Sequence, residues 1–556
     1  MKLIIYQIFT RLYGNRNTSR VENGTLAENG SGKMNDFTAK ELKRIKDLGI
    51  SHVWYTGILR HATQTDYSAY GIPRNHPAIV KGKAGSPYAI TDYYDVDPDL
   101  AVDISRRMQE FESLVSRTHK AGMKVIIDFV PNHVARQYRS VAKPAGIKDI
   151  GEDDNTEKGF DPQNNFYYCP GCEFAPVFDL CQGEAEAYSE MPAKATGNDH
   201  FDQSPGKDDW YETVKLNYGV DYYAGRIGHF EPIPDTWTKM AEILLFWASK
   251  GIDGFRCDMA EMVPVEFWGW ATAQVKARYP EIIFIGEVYN PAEYRNYITH
   301  GFDYLYDKVG MYDTMRAVTC GHQDAAAITG AWQAVGDIRN HMLYFLENHD
   351  EQRIGSDFFA GNGLNGIPAM VVSLLMQQNP FMLYAGEEYG ERGMDKEGFS
   401  GKDGRTTIFD YWSIDTLCRA AWDALTAEEQ QIYDMHRKAL AVARKEKAVS
   451  EGLFFDLMYV NPHLYRQYAF LRKAGQTLLL IVANFDDTDV SIGINIPAHA
   501  FRFLEFEEET VTATDLLNHE TLDVCLQEGG CVEMQIKGRG ARIWKLGLTK
   551  RKKRKA

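Results

Sequence analysis

Cysteine is scarce. Eight in 556 residues are too few for a disulfide scaffold, so free thiols are expected. The stretch Cys169-Pro170-Gly171-Cys172, with Cys181 close behind, offers three zinc-ligand side chains. No second pair completes the set, and incidental loop thiols are the preferred reading. Long apolar runs are also missing, so no membrane partner is expected. Residues 1–6 start with a charge and an apolar run, but Gln7, Thr10 and Arg11 end it too early for a signal peptide, which predicts a cytoplasmic protein. Positive charge is in deficit. A formal charge of −16 repels phosphates over most of the surface and argues against a nucleic-acid partner. The basic run at 550–555 is the exception and reads as a solvated, disordered tail over 549–556. No 20–50-residue period recurs, which excludes a solenoid or propeller.

What remains is ordinary globular material: 44% apolar and 25% charged residues, in a chain long enough for a catalytic domain and at least one smaller domain. Short β-branched runs at 3–9, 50–55, 124–129, 254–257, 282–287, 302–306, 342–346 and 380–384 alternate with helical stretches. Those at 40–48, 105–121, 236–250, 264–278 and 367–377 carry apolar residues at helical spacing. Eight β-α units in order predict an α/β fold, a closed (β/α)8 TIM barrel. Residues 133–234 break the beat. They are rich in Gly, Pro, Asp, Asn and aromatics, and a structureless loop of that length is improbable, so an inserted subdomain after strand three is expected. Barrel sequence is therefore assigned to 1–132 and 235–447. After the helical stretch 427–447, short alternating strands at 478–484, 490–496 and 542–546 predict a C-terminal antiparallel β-sandwich over 448–548.

Barrel active sites lie at the C-terminal ends of the strands, so polar residues closing apolar strands are the ones to examine. Strand three ends in Asp128-Phe129-Val130-Pro131-Asn132-His133, strand four in Gly254-Phe255-Arg256-Cys257-Asp258 and strand five in Gly286-Glu287-Val288. Strand seven is followed by Asn348-His349-Asp350. Cleaving a glycoside with retention requires one ionised carboxylate to attack the anomeric carbon and one protonated carboxyl to donate to the leaving oxygen. Arg256 and Asp258 are two apart on a strand and point to the same side, so the guanidinium is expected to keep Asp258 ionised. Glu287 between Asp258 and Asp350 is expected to stay protonated, because like charge opposes its ionisation. Asp350 then faces the developing oxocarbenium charge. Taken singly, such carboxylates read equally well as helix caps or partners of buried arginines. His133 and His349 alone would be core histidines, and Asp128 reads as structural.

Four such motifs, each closing the appropriate strand, resemble the conserved regions of the α-amylase family, glycoside hydrolase family 13, over residues 1–548. The resemblance implies Asp258 as nucleophile, Glu287 as general acid/base and Asp350 as transition-state stabiliser. It also implies Arg256, His133 and His349 as sugar-holding groups and Tyr88 as an aromatic platform, although Ala89 stands where the family commonly has Asp. No cofactor is implied for the chemistry. A structural calcium is implied at Asn132, with Asp161, Asp179, Asp199 and Asp202 as further donors, and the loop Gly14-Asn15-Arg16-Asn17 could hold a second ion. Ordinary turn chemistry is the alternative at both places. Tyr167, Tyr168, Trp210, Tyr211, Tyr222 and Tyr223 are candidate subsite walls.

The expected activity is hydrolysis of α-1,4-glucosidic bonds, with α-glucan as partner. A glucanotransferase or maltosyltransferase using the same intermediate is the alternative, because the continuation from Met259 to Trp268 also resembles transferring relatives. An inactive glycan-binding scaffold is the alternative of another class, opposed by the presence of all three carboxylates.

Overall fold

Alternation along each parallel strand divides the apolar residues into two sets. Ile5, Trp54, Ile126, Ile285, Leu343 and Met382 form one buried cluster. Their strand neighbours Ile4, Val53, Val125, Ile127 and Phe284 belong to another, shared with the surrounding helices. The first fills a barrel and the second joins it to its helical coat, as period-two sequences between two buried faces require. In this computed structural model, which describes residues 2–549, the strands are β1 (Ile4–Phe9), β2 (His52–Thr56), β3 (Lys124–Phe129), β4 (Gly254–Cys257), β5 (Ile283–Gly286), β6 (Tyr304–Tyr306), β7 (Met342–Phe345) and β8 (Phe381–Tyr384). They close in sequence order, with β8 pairing back to β1. All eight expected strands are present, with ends shifted by up to two residues.

The expected helices form at Ala39–Asp47, Arg107–Lys120, Asp235–Ser249, Val265–Arg278 and Ile367–Leu375. Thr38 caps the first by accepting from the Glu41 N–H, and Pro368 in the first turn of the last needs no N–H partner there.

Between β3 and the helix at Asp235 the chain makes only short antiparallel pairs. His133–Ala135 pairs with Thr213–Lys215, and Tyr168–Cys169 with Ala193–Lys194. A second excursion, unread in the sequence, follows β2: Leu59–His61 pairs with Ile90–Val96 through an irregular register. Beyond the helix Ala427–Lys445 lies an antiparallel β-sheet domain. It has a six-stranded sheet, with Thr477–Asn484 and Ala541–Gly547 at its centre, and a two-stranded ribbon of Val490–Asn495 and Cys531–Ile536. Apart from Thr549, the basic tail lies outside the described residues. No described helix is long and apolar enough to cross a membrane.

Candidate active site

Strand register builds the site. Cys257 pairs with Gly286 across β4 and β5, and Arg256 with Asp128 across β4 and β3. One residue further, the N–H of Asp258 donates to Phe129 O at 2.9 Å and that of Glu287 to Cys257 O at 3.1 Å. The two acidic residues are therefore the first positions beyond adjacent strands, where the ladder is still tight but the end of the barrel is open. Arg256 lies just below, fully buried. Its Nη1 donates to Asp258 Oδ1 at 2.7 Å, and its Nη2 forms an ion pair with Glu287 Oε2 at 2.7 Å.

The guanidinium is thus divided between two carboxylates, whereas the sequence reading gave it to Asp258. Two further donors hold Glu287: the Met259 N–H at 2.8 Å to Oε2 and the Tyr289 hydroxyl at 2.5 Å to Oε1. Met259 adopts the left-handed conformation, φ 42° and ψ 43°, unusual for a non-glycine residue. Burial raises the Asp258 carboxyl well above the ordinary range, against the opposing charge of Arg256 and with the charge of Glu287. The expected lowering by Arg256 is outweighed by burial, with the neighbouring Glu287 charge acting in the same direction as burial.

Asp350 completes the trio. Burial and then the Glu287 charge raise its carboxyl to about 7, yet its side chain keeps 41% exposure and opens into the cleft. Asn348 Oδ1 holds the turn by accepting the N–H groups of Asp350 and Glu351, each at 2.8 Å.

His349 is buried and its pKa lies well below the usual value, from desolvation and then the Arg256 charge, so its ring is neutral. Gln7 Nε2 lies 2.8 Å from Nδ1, the Tyr88 hydroxyl 2.5 Å from Nε2 and Asp350 Oδ2 3.2 Å from Nε2. An amide donor at Nδ1 leaves Nε2 as the N–H, placed against the Tyr88 hydroxyl and Asp350 at the floor of the site. His133 is lowered to about 3 by burial and then the Lys215 charge. Tyr88 lies beside His349, with ring centroids 5.2 Å apart. Ala89 packs in an apolar cluster with Ala62, Val80 and Ala135, surroundings that would strand a carboxylate. Asp128 holds the strand-three side by accepting from Trp54 Nε1 at 3.1 Å.

Tyr88, His133, Asp258, Met259, Glu287, Tyr289 and Asp350 line one cleft of about 400 Å³, together with Trp210, Glu212, Thr213, Lys81 and Phe409, while Arg256, Asp128 and His349 lie deeper. Of the six aromatic wall candidates only Trp210 reaches it, its ring 5.3 Å from that of His133. Tyr211 lines a neighbouring pocket. Tyr167 and Tyr222 pack against each other and Phe201, Tyr168 is buried against Asp154, and Tyr223 is exposed. Tyr289 and the Met259 amide had no sequence signal beyond their place beside an acidic residue.

The donors proposed for calcium do not fit that ion. Asn132 Oδ1 accepts from Lys215 Nζ at 2.5 Å, and its amide nitrogen donates to Gly197 O at 2.8 Å. Asp199 pairs with Lys215 at 2.6 Å and with Arg226 at 3.6 Å. Asp161 pairs with Lys158, Asp179 accepts from the N–H groups of Cys181 and Gln182, and Asp202 pairs with His200. Asn15 and Asn17 donate to the carbonyls of Asn29, Trp412 and Glu28, ordinary turn chemistry. Among the described residues no group of three or more His, Cys, Asp or Glu is placed to hold a metal. Cys169, Cys172 and Cys181 are free thiols.

A parallel barrel with an arginine-linked carboxylate pair and a third carboxylate at its strand ends offers the carboxyl groups that glycoside cleavage requires. Residues 7–450 match the model of the α-amylase catalytic domain. The chain belongs to the α-amylase family and is a glycoside hydrolase. It is 24% identical over 474 residues to α-amylase 3 of Dictyoglomus thermophilum, covering 81% of this chain and 78% of that protein. To an α-amylase of Streptomyces lividans it is 27% identical over 497 residues, covering 80% and 49%. The crystal structure of a maltogenic α-amylase from Thermotoga neapolitana superposes with a TM-score of 0.62 at 20% identity, covering 98% and 99% of the two chains.

Proposed function

We propose that the protein hydrolyses α-1,4-glucosidic bonds in starch- or glycogen-derived glucans and maltooligosaccharides, with retention, through a glycosyl ester on Asp258. The observation that carries this reading is the suspension of Asp258 and Glu287 from the two terminal nitrogens of one buried arginine. That arrangement favours the close carboxyl spacing of retaining enzymes, about 5–5.5 Å, over the wider gap that admits a water in inverting ones.

In the first step an oxygen of the ionised Asp258 carboxylate, paired with Arg256, bonds to the anomeric carbon as the bond to the glycosidic oxygen breaks, and Glu287 passes its proton to the departing oxygen. In the second step Glu287 takes a proton from water, whose oxygen attacks the same carbon and releases Asp258. Two inversions restore the original anomer. Asp350 opposes the positive charge that develops on the ring, and the neutral imidazoles of His133 and His349 serve as hydrogen-bond donors to hydroxyls. The Tyr289 hydroxyl and the Met259 amide keep Glu287 aimed between proton transfers. Trp210 offers a ring face to a neighbouring glucose. The names of the relatives support an α-glucan substrate, and eight free cysteines suit a reducing, cytoplasmic compartment.

Maltoheptaose incubated with and without a sugar acceptor, with the anomer followed at early times, tests this reading. Shorter oligosaccharides released as the α-anomer, without dependence on acceptor, are expected. Products longer than the substrate would assign the intermediate to transfer, and β-anomers would remove the ester.

A further inference from the structure

The loop after β3 and the inserted segment meet around a buried positive charge that belongs to the chain. Lys215 is 2% exposed and ends the short strand that pairs with the segment starting at His133. Its Nζ donates to Asn132 Oδ1 at 2.5 Å and forms an ion pair with Asp199 Oδ1 at 2.6 Å. The Tyr222 ring centroid is 5.5 Å from the same nitrogen, a favourable cation–π arrangement. Main-chain bonds fix both sides: Leu216 N–H donates to Asn132 O at 2.9 Å and Lys215 N–H to Ala195 O at 2.9 Å.

We propose that the Lys215 ammonium is a built-in cation, taking the place of a structural calcium at the junction of barrel and inserted segment, so that the cleft forms without metal. Calcium takes six to eight oxygens and dispenses with nearby positive charge. Here the converging oxygens are already held by a covalently tethered cation, and Arg226 approaches the second Asp199 oxygen at 3.6 Å. A tethered ammonium supplies charge and directional donors while surrendering no translational freedom. The cost is specificity of place: a lysine fits one ligand set, and an emptied position leaves Asp199 facing a buried amide oxygen. The same strand carries Thr213 into the cleft, and Lys215 itself is the cross-strand partner of His133, a proposed sugar-holding group.

The inference is tested by stability and metal content, independently of which glycoside is cleaved. The purified full chain is expected to carry less than one-tenth of a calcium per molecule by elemental analysis, about the noise of a site left unfilled. Its Tm should move by less than about 1 °C with EDTA or added calcium. A stoichiometric, dialysis-resistant calcium, or a clear Tm loss in EDTA, overturns the proposal. Lys215→Met keeps the stem and deletes the charge, and should lower Tm by roughly 3 °C or more, because the half-buried Asp199 is left with only the more distant Arg226. Adding Asp199→Asn to that variant should recover most of the loss, and Asn tolerates the left-handed backbone at this position, φ 63°. A Lys215→Met chain as stable as wild type, or a double variant with no recovery, refutes the charge role. Should Lys215→Met fail to fold, the double variant and the wild-type metal measurement still decide the matter.

Discussion

The barrel rim and the inserted segment contribute to one cleft by opposite means. Asp258 and Glu287 are placed by the ladder, each one residue beyond the paired Cys257 and Gly286, and their positions follow from strand periodicity alone. Trp210, Glu212 and Thr213 reach the same cleft from a segment with only two- and three-residue strands. It is held by long-range side-chain ties such as Arg136 to Glu190 at 2.7 Å. The difference separates chemistry, which requires sub-ångström placement and sits on the ladder, from grip, which tolerates variation and sits on loops.

The sharpest way to break that comparison is at the rim. Asp258→Asn keeps an oxygen acceptor for Arg256 Nη1 and should fold normally by circular dichroism, yet lose roughly 10⁴-fold or more in kcat. A variant retaining near-native turnover would falsify the assignment. At the wall, Trp210→Ala should raise KM for maltooligosaccharides about tenfold and leave kcat within about threefold, since a stacking face is lost while the carboxylates stay in place. A collapse of kcat instead would move Trp210 into the reacting machinery.

The smallest expected effect is thermodynamic. The Asp350 carboxyl is raised to about 7 in the folded chain from an ordinary value near 4. Its bound proton therefore favours the folded state fully below about pH 4, and that contribution is lost as pH rises to about 7. Asp350→Asn has no such term, so its Tm relative to wild type should climb across this window. The gain should be modest, about 1–2 °C, because the side chain is 41% exposed. A Tm difference that stays flat with pH would place the charge burden on another group.

Much of this was legible in the sequence because barrel strands announce themselves twice, by apolar periodicity and by the polar residue that ends each run. Asp258, Glu287, Asp350, Arg256, His133, His349 and Tyr88 come together as expected. Electrostatics was less legible: the spacing of Arg256 and Asp258 revealed their pairing, but the sharing with Glu287 arises from register between strands, which no single strand encodes. The wall was least legible. Six aromatics in the insert looked alike, and packing alone decided that Tyr167 and Tyr222 meet edge to face with each other while Trp210 lines the cleft. Lys215 carried no signal either, since a lone lysine ordinarily marks a solvated face. The excursion after β2 was missed because its two strands pair irregularly and present no clean alternation.

Met259 gives the site a kind of insurance. Because the contact to Glu287 is made by a peptide N–H, no exchange of side chain at 259 deletes it except proline, which has no such hydrogen. The left-handed backbone there does filter the tolerated alphabet, welcoming glycine and asparagine and resisting valine and isoleucine. Drift at this position can therefore reshape the neighbouring cleft wall while the orientation of Glu287 is inherited unchanged.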